Sequence, residues 1–194
     1  MENLIAGREC GECRMCCITP MIDNPDMQKK SGAVCAHCVS GPCDIYQTRP
    51  PVCRDFFCAW RSMEAMGPEW RPDKSGVFAR IETRNIPPGF ANRTGISLTL
   101  VANPLKTVRQ PWFIDFVAGA VANKIPLFLM VPGPVGYGAA KALLNTPAFA
   151  EAAVTARSRV KQLLEEALKG LAAYRFQEDV LSHSGNDVSS QESG

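Results

Sequence analysis

Cys10-Gly11-Glu12-Cys13-Arg14-Met15-Cys16-Cys17 opens a run of cysteines that continues with Cys35-Ala36-His37-Cys38 and then Cys43, Cys53 and Cys58. These are all nine cysteines of the 194-residue chain, and none follows Cys58. Two residues between sulfurs let one tight turn aim both at the same point, as a tetrahedral thiolate site requires. Zinc takes four such ligands, and an iron–sulfur cluster is likewise held by four thiolates. The spacing therefore predicts a metal-built module over residues 1–60, with Cys10, Cys13, Cys16, Cys17, Cys35, Cys38, Cys43, Cys53 and Cys58 as candidate ligands.

Between these cysteines the chain shows neither apolar period. Turn residues dominate, as in Asp23-Asn24-Pro25-Asp26 and Ser40-Gly41-Pro42. Such a stretch buries too little apolar area to fold alone. Bound metal would supply the missing free energy, on the order of 10 kcal/mol for structural zinc.

Geometry limits which thiols share an ion. Adjacent Cys16 and Cys17 are expected to diverge, by about 100° on a helix or to opposite faces of a strand. A helical segment would align Cys10, Cys13 and Cys17, whereas a turn-rich knuckle would converge Cys10, Cys13 and Cys16. Both arrangements, and one centre or two, stay open on sequence. Arg14, Arg49 and Arg54 are candidates to offset the charge of gathered thiolates. His37 is expected to make a structural hydrogen bond rather than bind metal, since thiols are in surplus. Tyr46 and Phe56 are expected to pack around the site. Surplus thiols also favour a closed metal shell over an open catalytic position, so no catalytic residue is assigned.

Apolar residues make up 46% of the chain, which excludes disorder throughout. A net charge of +2 without a dense Lys/Arg run argues against nucleic acid. No stretch of about 18 apolar residues is present to span a membrane, and no signal peptide is legible at the N-terminus. The expected compartment is the cytoplasm, where thiols stay reduced and clustered cysteines bind metal rather than pair.

The remainder reads as a small α+β body over 61–178, ending in a long helix, and then a disordered tail over 179–194 that includes His183. A short helix is expected from Arg61 to Trp70, and strands over Val77–Glu82, Ile96–Ala102 and Leu127–Val131. A helix should start at Pro111 and run to Asn123, which suggests a βαβ-like unit, with two antiparallel strands as the alternative. Thr146-Pro147 is a helix start, with the helix expected to reach Phe176 and Gly170 as its weak point. Its stripe of Val154, Leu163, Leu164, Ala167, Leu168 and Leu171 reads as core. Gly133 to Lys141 reads as a plain turn, since it lacks the Gly-Lys-Ser/Thr ending of a phosphate loop.

Taken together, Cys10-x-x-Cys13-x-x-Cys16-Cys17 and Cys43-Asp44-Ile45-Tyr46-Gln47-Thr48-Arg49-Pro50-Pro51-Val52-Cys53-Arg54-Asp55-Phe56 resemble the YkgJ-type cysteine-cluster family. The resemblance covers residues 10 to about 60. Cys10, Cys13, Cys16, Cys17, Cys43 and Cys53 match the core positions of its pattern. Cys38 and Cys58 match less universal ones, and Cys35-x-His37-Cys38 looks like a subgroup variant. That family is described as chelating zinc or iron, so the resemblance implies metal binding rather than a reaction. Some larger relatives are flagellin lysine N-methylases, for which this chain is short.

The combined expectation is an α+β protein. An irregular N-terminal cysteine module binds zinc or an iron–sulfur cluster, and the body supports it. No proline follows Cys43 or Cys53, as it would after the remote cysteine of a bacterial ferredoxin, which tips the reading toward zinc. The alternatives are an iron–sulfur oxidoreductase or electron carrier, and an accessory protein with structural zinc that recognises a protein partner.

Overall fold

The computed structural model describes residues 4–90 and 94–182, and its architecture is α+β. Most of the expected disordered tail, including His183, lies outside the described residues.

The cysteine region folds as a series of short turns. Helix α1 (Met15–Ile18) leads into a hairpin of β1 (Ile22–Asn24) and β2 (Met27–Lys29). The hairpin turns at Pro25-Asp26, where the Asp26 N–H donates to Asn24 Oδ1 at 3.0 Å. Turns of 3-10 helix over Ala36–Cys38 and Tyr46–Thr48 carry the chain to α2 (Pro51–Arg54) and α3 (Ala59–Ser62). Prolines begin α2 and α4 (Pro72–Ser75), where the missing N–H is no loss.

The single helix expected from Arg61 to Trp70 does not form. Met63 is extended, and a separate 3-10 turn covers Pro68–Trp70. Pro68 disfavours helical backbone at the preceding Gly67, which breaks the run. Trp70 is 2% exposed and packs on Trp112, Phe113 and Phe116, with ring centroids 4.7, 5.7 and 4.6 Å away. This aromatic cluster anchors the connection between the cysteine region and the body.

The body holds a four-stranded sheet in the order β3-β4-β5-β6, built from β3 (Val77–Glu82), β4 (Gly95–Leu100), β5 (Leu127–Val131) and β6 (Ala140–Leu143). Strands β4 and β5 are parallel, and the other two pairings are antiparallel. After β4 the chain forms α5 (Pro104–Thr107) and then α6 (Pro111–Ala122), which makes the β4-α6-β5 crossover. The expected βαβ-like unit is therefore present. Strand β6 was not expected, and it means that Gly133 to Gly138 joins two antiparallel strands, unlike a phosphate loop.

The long C-terminal helix is present as α8 (Arg157–Ala172), preceded by α7 (Pro147–Thr155). The break falls at Ala156, which is extended at φ −155°, while Gly170 lies inside α8. Arg157 clasps this corner: its Nε meets Asp115 at 2.7 Å and its Nη1 donates to Ala153 O at 2.9 Å. Thr146 caps α7 as expected, accepting from the Phe149 N–H at 3.3 Å.

Register divides the sheet into two unlike faces. Val77, Ala79, Ile96, Leu98, Leu100, Leu127 and Leu129 join the helices in the main core. The opposite face carries Phe78, Arg80, Ser97, Thr99 and Met130. On it Ser97 donates to Glu82 at 2.6 Å, and Phe78 meets Phe56 of the cysteine region at a centroid distance of 6.0 Å. The cysteine region thus docks at the β3 side of this mixed face.

The chain end closes the arrangement. Residues 179 to 182, expected to begin the disordered tail, are hydrogen-bonded. The Asp179 N–H donates to Gly136 O at 2.8 Å, and its carboxylate accepts from the Ser31 N–H at 2.6 Å. Gly136, at φ +87°, turns its own N–H to Ser31 O at 2.8 Å. The Ser182 N–H reaches Asp23 Oδ2 at 3.0 Å. The last described residues therefore strap the hairpin region to the body.

Candidate metal centre

All nine cysteines are free thiols. Seven of them, Cys10, Cys13, Cys16, Cys17, Cys35, Cys43 and Cys53, line one cavity of about 650 Å³. Cys38 and Cys58 are not on its wall; Cys38 is fully buried and Cys58 half-buried against the core. Arg14, Arg49, Tyr46, Phe56 and His37 line the cavity as well.

Backbone hydrogen bonds sort the thiols. The Cys13 N–H donates to Cys10 O at 2.9 Å, closing the first Cys-x-x-Cys turn. Arg61 links two cysteine segments: its backbone N–H donates to Cys58 O at 2.9 Å and its Nη1 stands 3.4 Å from Cys10 Sγ. Arg71 donates to Cys10 O at 3.2 Å and pairs with Asp73 at 2.8 Å. Elsewhere, the Cys35 N–H donates to Cys17 O at 3.0 Å, and the Cys38 N–H to Cys35 O at 2.9 Å. The Asp44 N–H donates to His37 O at 3.0 Å, which brings Cys43 beside Cys38. Cys53 Sγ donates to Met27 Sδ at 3.5 Å, on the hairpin that follows α1.

Cys16 and Cys17 both lie in α1, and their sulfurs nonetheless stand 3.9 Å apart. That is close to the ligand–ligand edge of a tetrahedron with about 2.3 Å metal–sulfur bonds, roughly 3.8 Å. The helical alignment of Cys10, Cys13 and Cys17 does not form, because helix α1 begins only at Met15.

Positive groups hold the carbonyls around these thiols. Lys29 is 7% exposed, and its Nζ donates to Ile18 O, Lys30 O and Ala33 O at 2.8, 3.2 and 3.0 Å. Burial lowers its pKa, and the neighbouring Cys35, Cys17 and Cys16 oppose that shift. Arg14 donates to Cys38 O at 2.8 Å and Gly41 O at 3.2 Å. Arg49 lies 3.8 Å over the Tyr46 ring. Arg54 departs from expectation: it is exposed and pairs with Asp55 at 3.2 Å, because one step along α2 from Cys53 turns it to solvent. His37 makes a hydrogen bond, with Nδ1 3.0 Å from Asp44 Oδ1.

Five of the thiols resist ionisation. Burial lifts Cys13 and Cys53, lifts Cys58 to about 11 and, with Cys17 beside it, lifts Cys38 to about 12. Cys17 is raised furthest, first by its hydrogen bond with Cys16 and then by burial. Backbone donors work the other way: the N–H groups of Met15 and Asp73 point at Cys13, and those of Arg61 and Trp60 at Cys58. Such N–H donors favour a thiolate over a thiol.

Among the described residues, no group of three or more His, Cys, Asp or Glu side chains already stands arranged to hold a metal ion. The donor chemistry nevertheless fits one. Free thiols converge, N–H groups are aimed at sulfur, and a guanidinium touches Cys10. Lys29, Arg61, Arg71 and Asp73 belong to this setting and were not singled out from sequence; only the Cys58-x-x-Arg61 spacing was a usable signal. No helix among the described residues is long and apolar enough to cross a membrane. No protein-family model, curated protein or solved structure matches the chain.

Proposed function

We propose that the chain is a metal-binding protein whose cysteine module holds zinc, with an iron–sulfur cluster as the alternative. One observation carries this reading: seven free thiols, spread over more than forty residues of irregular chain, open onto one cavity. Thiols that served only as small apolar residues would be dispersed through a core, and the main core of this protein contains no fully packed cysteine. In a reducing compartment such a gathering supports metal over disulfides. Zinc would supply structural stability here rather than a reaction, and no reaction is assigned to the body.

The iron–sulfur alternative rests on the size of the cavity. About 650 Å³ exceeds what a single four-coordinate ion fills, and it would suit a redox cluster. The two are separated by producing the protein with ample iron and sulfide and keeping it anaerobic. Bound zinc without visible absorption is the expected result. Stoichiometric iron with inorganic sulfide, and colour lost in air, would transfer the assignment to the cluster. A protein free of both metals would overturn metal binding altogether.

A further inference from the structure

We infer that the nine cysteines form two separate metal centres: a small one built from Cys10, Cys13 and Cys58 at the junction with the body, and a larger one drawn from Cys16, Cys17, Cys35, Cys38, Cys43 and Cys53 under the hairpin. This rests on the metal-binding reading above and divides its site.

The partition follows from which chain segments hold each sulfur. Cys10 and Cys13 share one turn, and residues from the body side lock that turn: Arg61 Nη1 at 3.4 Å from Cys10 Sγ and Arg71 Nη2 at 3.2 Å from Cys10 O. Cys58 immediately precedes α3, and it packs against the main core. The other six are tied to one another instead. Cys35 bonds to Cys17 and Cys38 to Cys35 through the backbone, Cys16 and Cys17 touch, and Cys53 meets Met27 of the hairpin. Lys29 and Arg14 close that group by gathering the carbonyls of Ile18, Ala33 and Cys38.

The small centre has its own charge compensation. Arg61 has a buried Nε with no hydrogen-bond partner, and its charge lies beside Cys10. A guanidinium held this way is costly beside neutral thiols and favourable beside thiolates. Two N–H groups aim at Cys13 and two at Cys58. Binding of a divalent ion would release the thiol protons to solvent, form metal–sulfur bonds and leave the Arg61 charge balanced.

The test is metal content per chain, measured by elemental analysis and native mass spectrometry on zinc-loaded full-length protein. Cys58→Ser and the Cys10→Ser/Cys13→Ser pair should each lower zinc to about half, since each centre would hold one ion. Cys35→Ser/Cys53→Ser should remove the other half, and the Cys58→Ser change added to it should remove all. Hydrogen exchange over β4 and β5 identifies any variant that has lost its body and must be replaced by the single Cys13→Ser or Cys53→Ser change. Complete loss of zinc from Cys58→Ser with a protected body, or one ion in the parent protein, would overturn the partition while leaving metal binding intact. Parent protein that takes up neither zinc nor iron would overturn metal binding, and the partition with it.

Discussion

The cysteine region and the sheet body sit side by side but are held by different forces. The body buries Leu98, Leu100, Leu127, Leu129, Phe113 and Leu164 to 1% exposure or less. Before Ala59, only Lys29, Cys35 and Cys38 among the described residues are buried. The body is therefore stabilised by apolar area, at about 25 cal/mol per Å² removed from water. The cysteine region depends on cations that collect carbonyls, on the strap from the chain end and, in our reading, on metal. A region built this way should respond to pH and metal, while the body responds to packing.

Alkaline pH should separate the two regions most. In metal-free protein, Cys58 and Cys38 keep their protons to about 11 and about 12, against an ordinary thiol value of 9.0. Below that ordinary value both chain states are protonated and the stabilising difference is fully present. Above it the unfolded chain has released protons that the folded chain retains, so stability falls as pH rises toward 12. Hydrogen exchange should show protection lost first over residues 10–58, with β4 and β5 still protected. Zinc-loaded protein should lack this slope, because its sulfurs carry metal in place of protons. Simultaneous loss in both regions would show that the regions are not distinct.

Packing should have the opposite selectivity. Trp70→Ala removes the ring at the centre of the Trp112, Phe113 and Phe116 cluster and should cost about 3–5 kcal/mol of body stability. Denaturant unfolding measures this, and zinc content of the folded fraction should stay constant. A parallel loss of zinc would mean that the junction, with Arg61 and Arg71, is organised by Trp70.

The smallest effect should come from the chain end. Truncation after Glu178 removes the Asp179 bonds to Ser31 and Gly136 and the Ser182 bond to Asp23. Neutral and charge-assisted bonds of this kind contribute about 0.5–3 kcal/mol each, discounted at the surface. A drop of about 1–2 kcal/mol confined to the hairpin region is expected. Unchanged exchange at Ser31 and Gly136 would show that the strap carries no stability.

Much of the body was legible before its coordinates. Alternating Ile96, Leu98 and Leu100 announced one strand because successive side chains point to opposite faces, and the apolar run Leu127–Val131 announced a second because a strand covered on both faces reads as continuous apolar chain. Pro111 and Thr146-Pro147 announced helix starts for local steric reasons. Strand β6 stayed hidden, since Ala140-Lys141-Ala142-Leu143 has no strong local preference and is a strand because β5 offers an open edge. The break at Ala156 was equally invisible: alanine favours helix, and the bend is held by the Arg157 clasp to Asp115.

The candidate site divides in the same way. Local chemistry alone determined that the first third of the chain gathers thiols, because nine cysteines at short spacings on turn-rich chain have few other physical uses. It also indicated that His37 would hydrogen-bond and that Arg14 and Arg49 would lie near the sulfurs. Only the tertiary structure decided that Arg54 leaves the site, that Lys29, Arg61, Arg71 and Asp73 enter it, and that Arg61 stands against Cys10. The reason is physical. Spacing constrains residues within a turn or two, whereas Cys10 and Arg61 meet because Trp60 and Trp70 bury themselves in the body and carry the intervening chain with them.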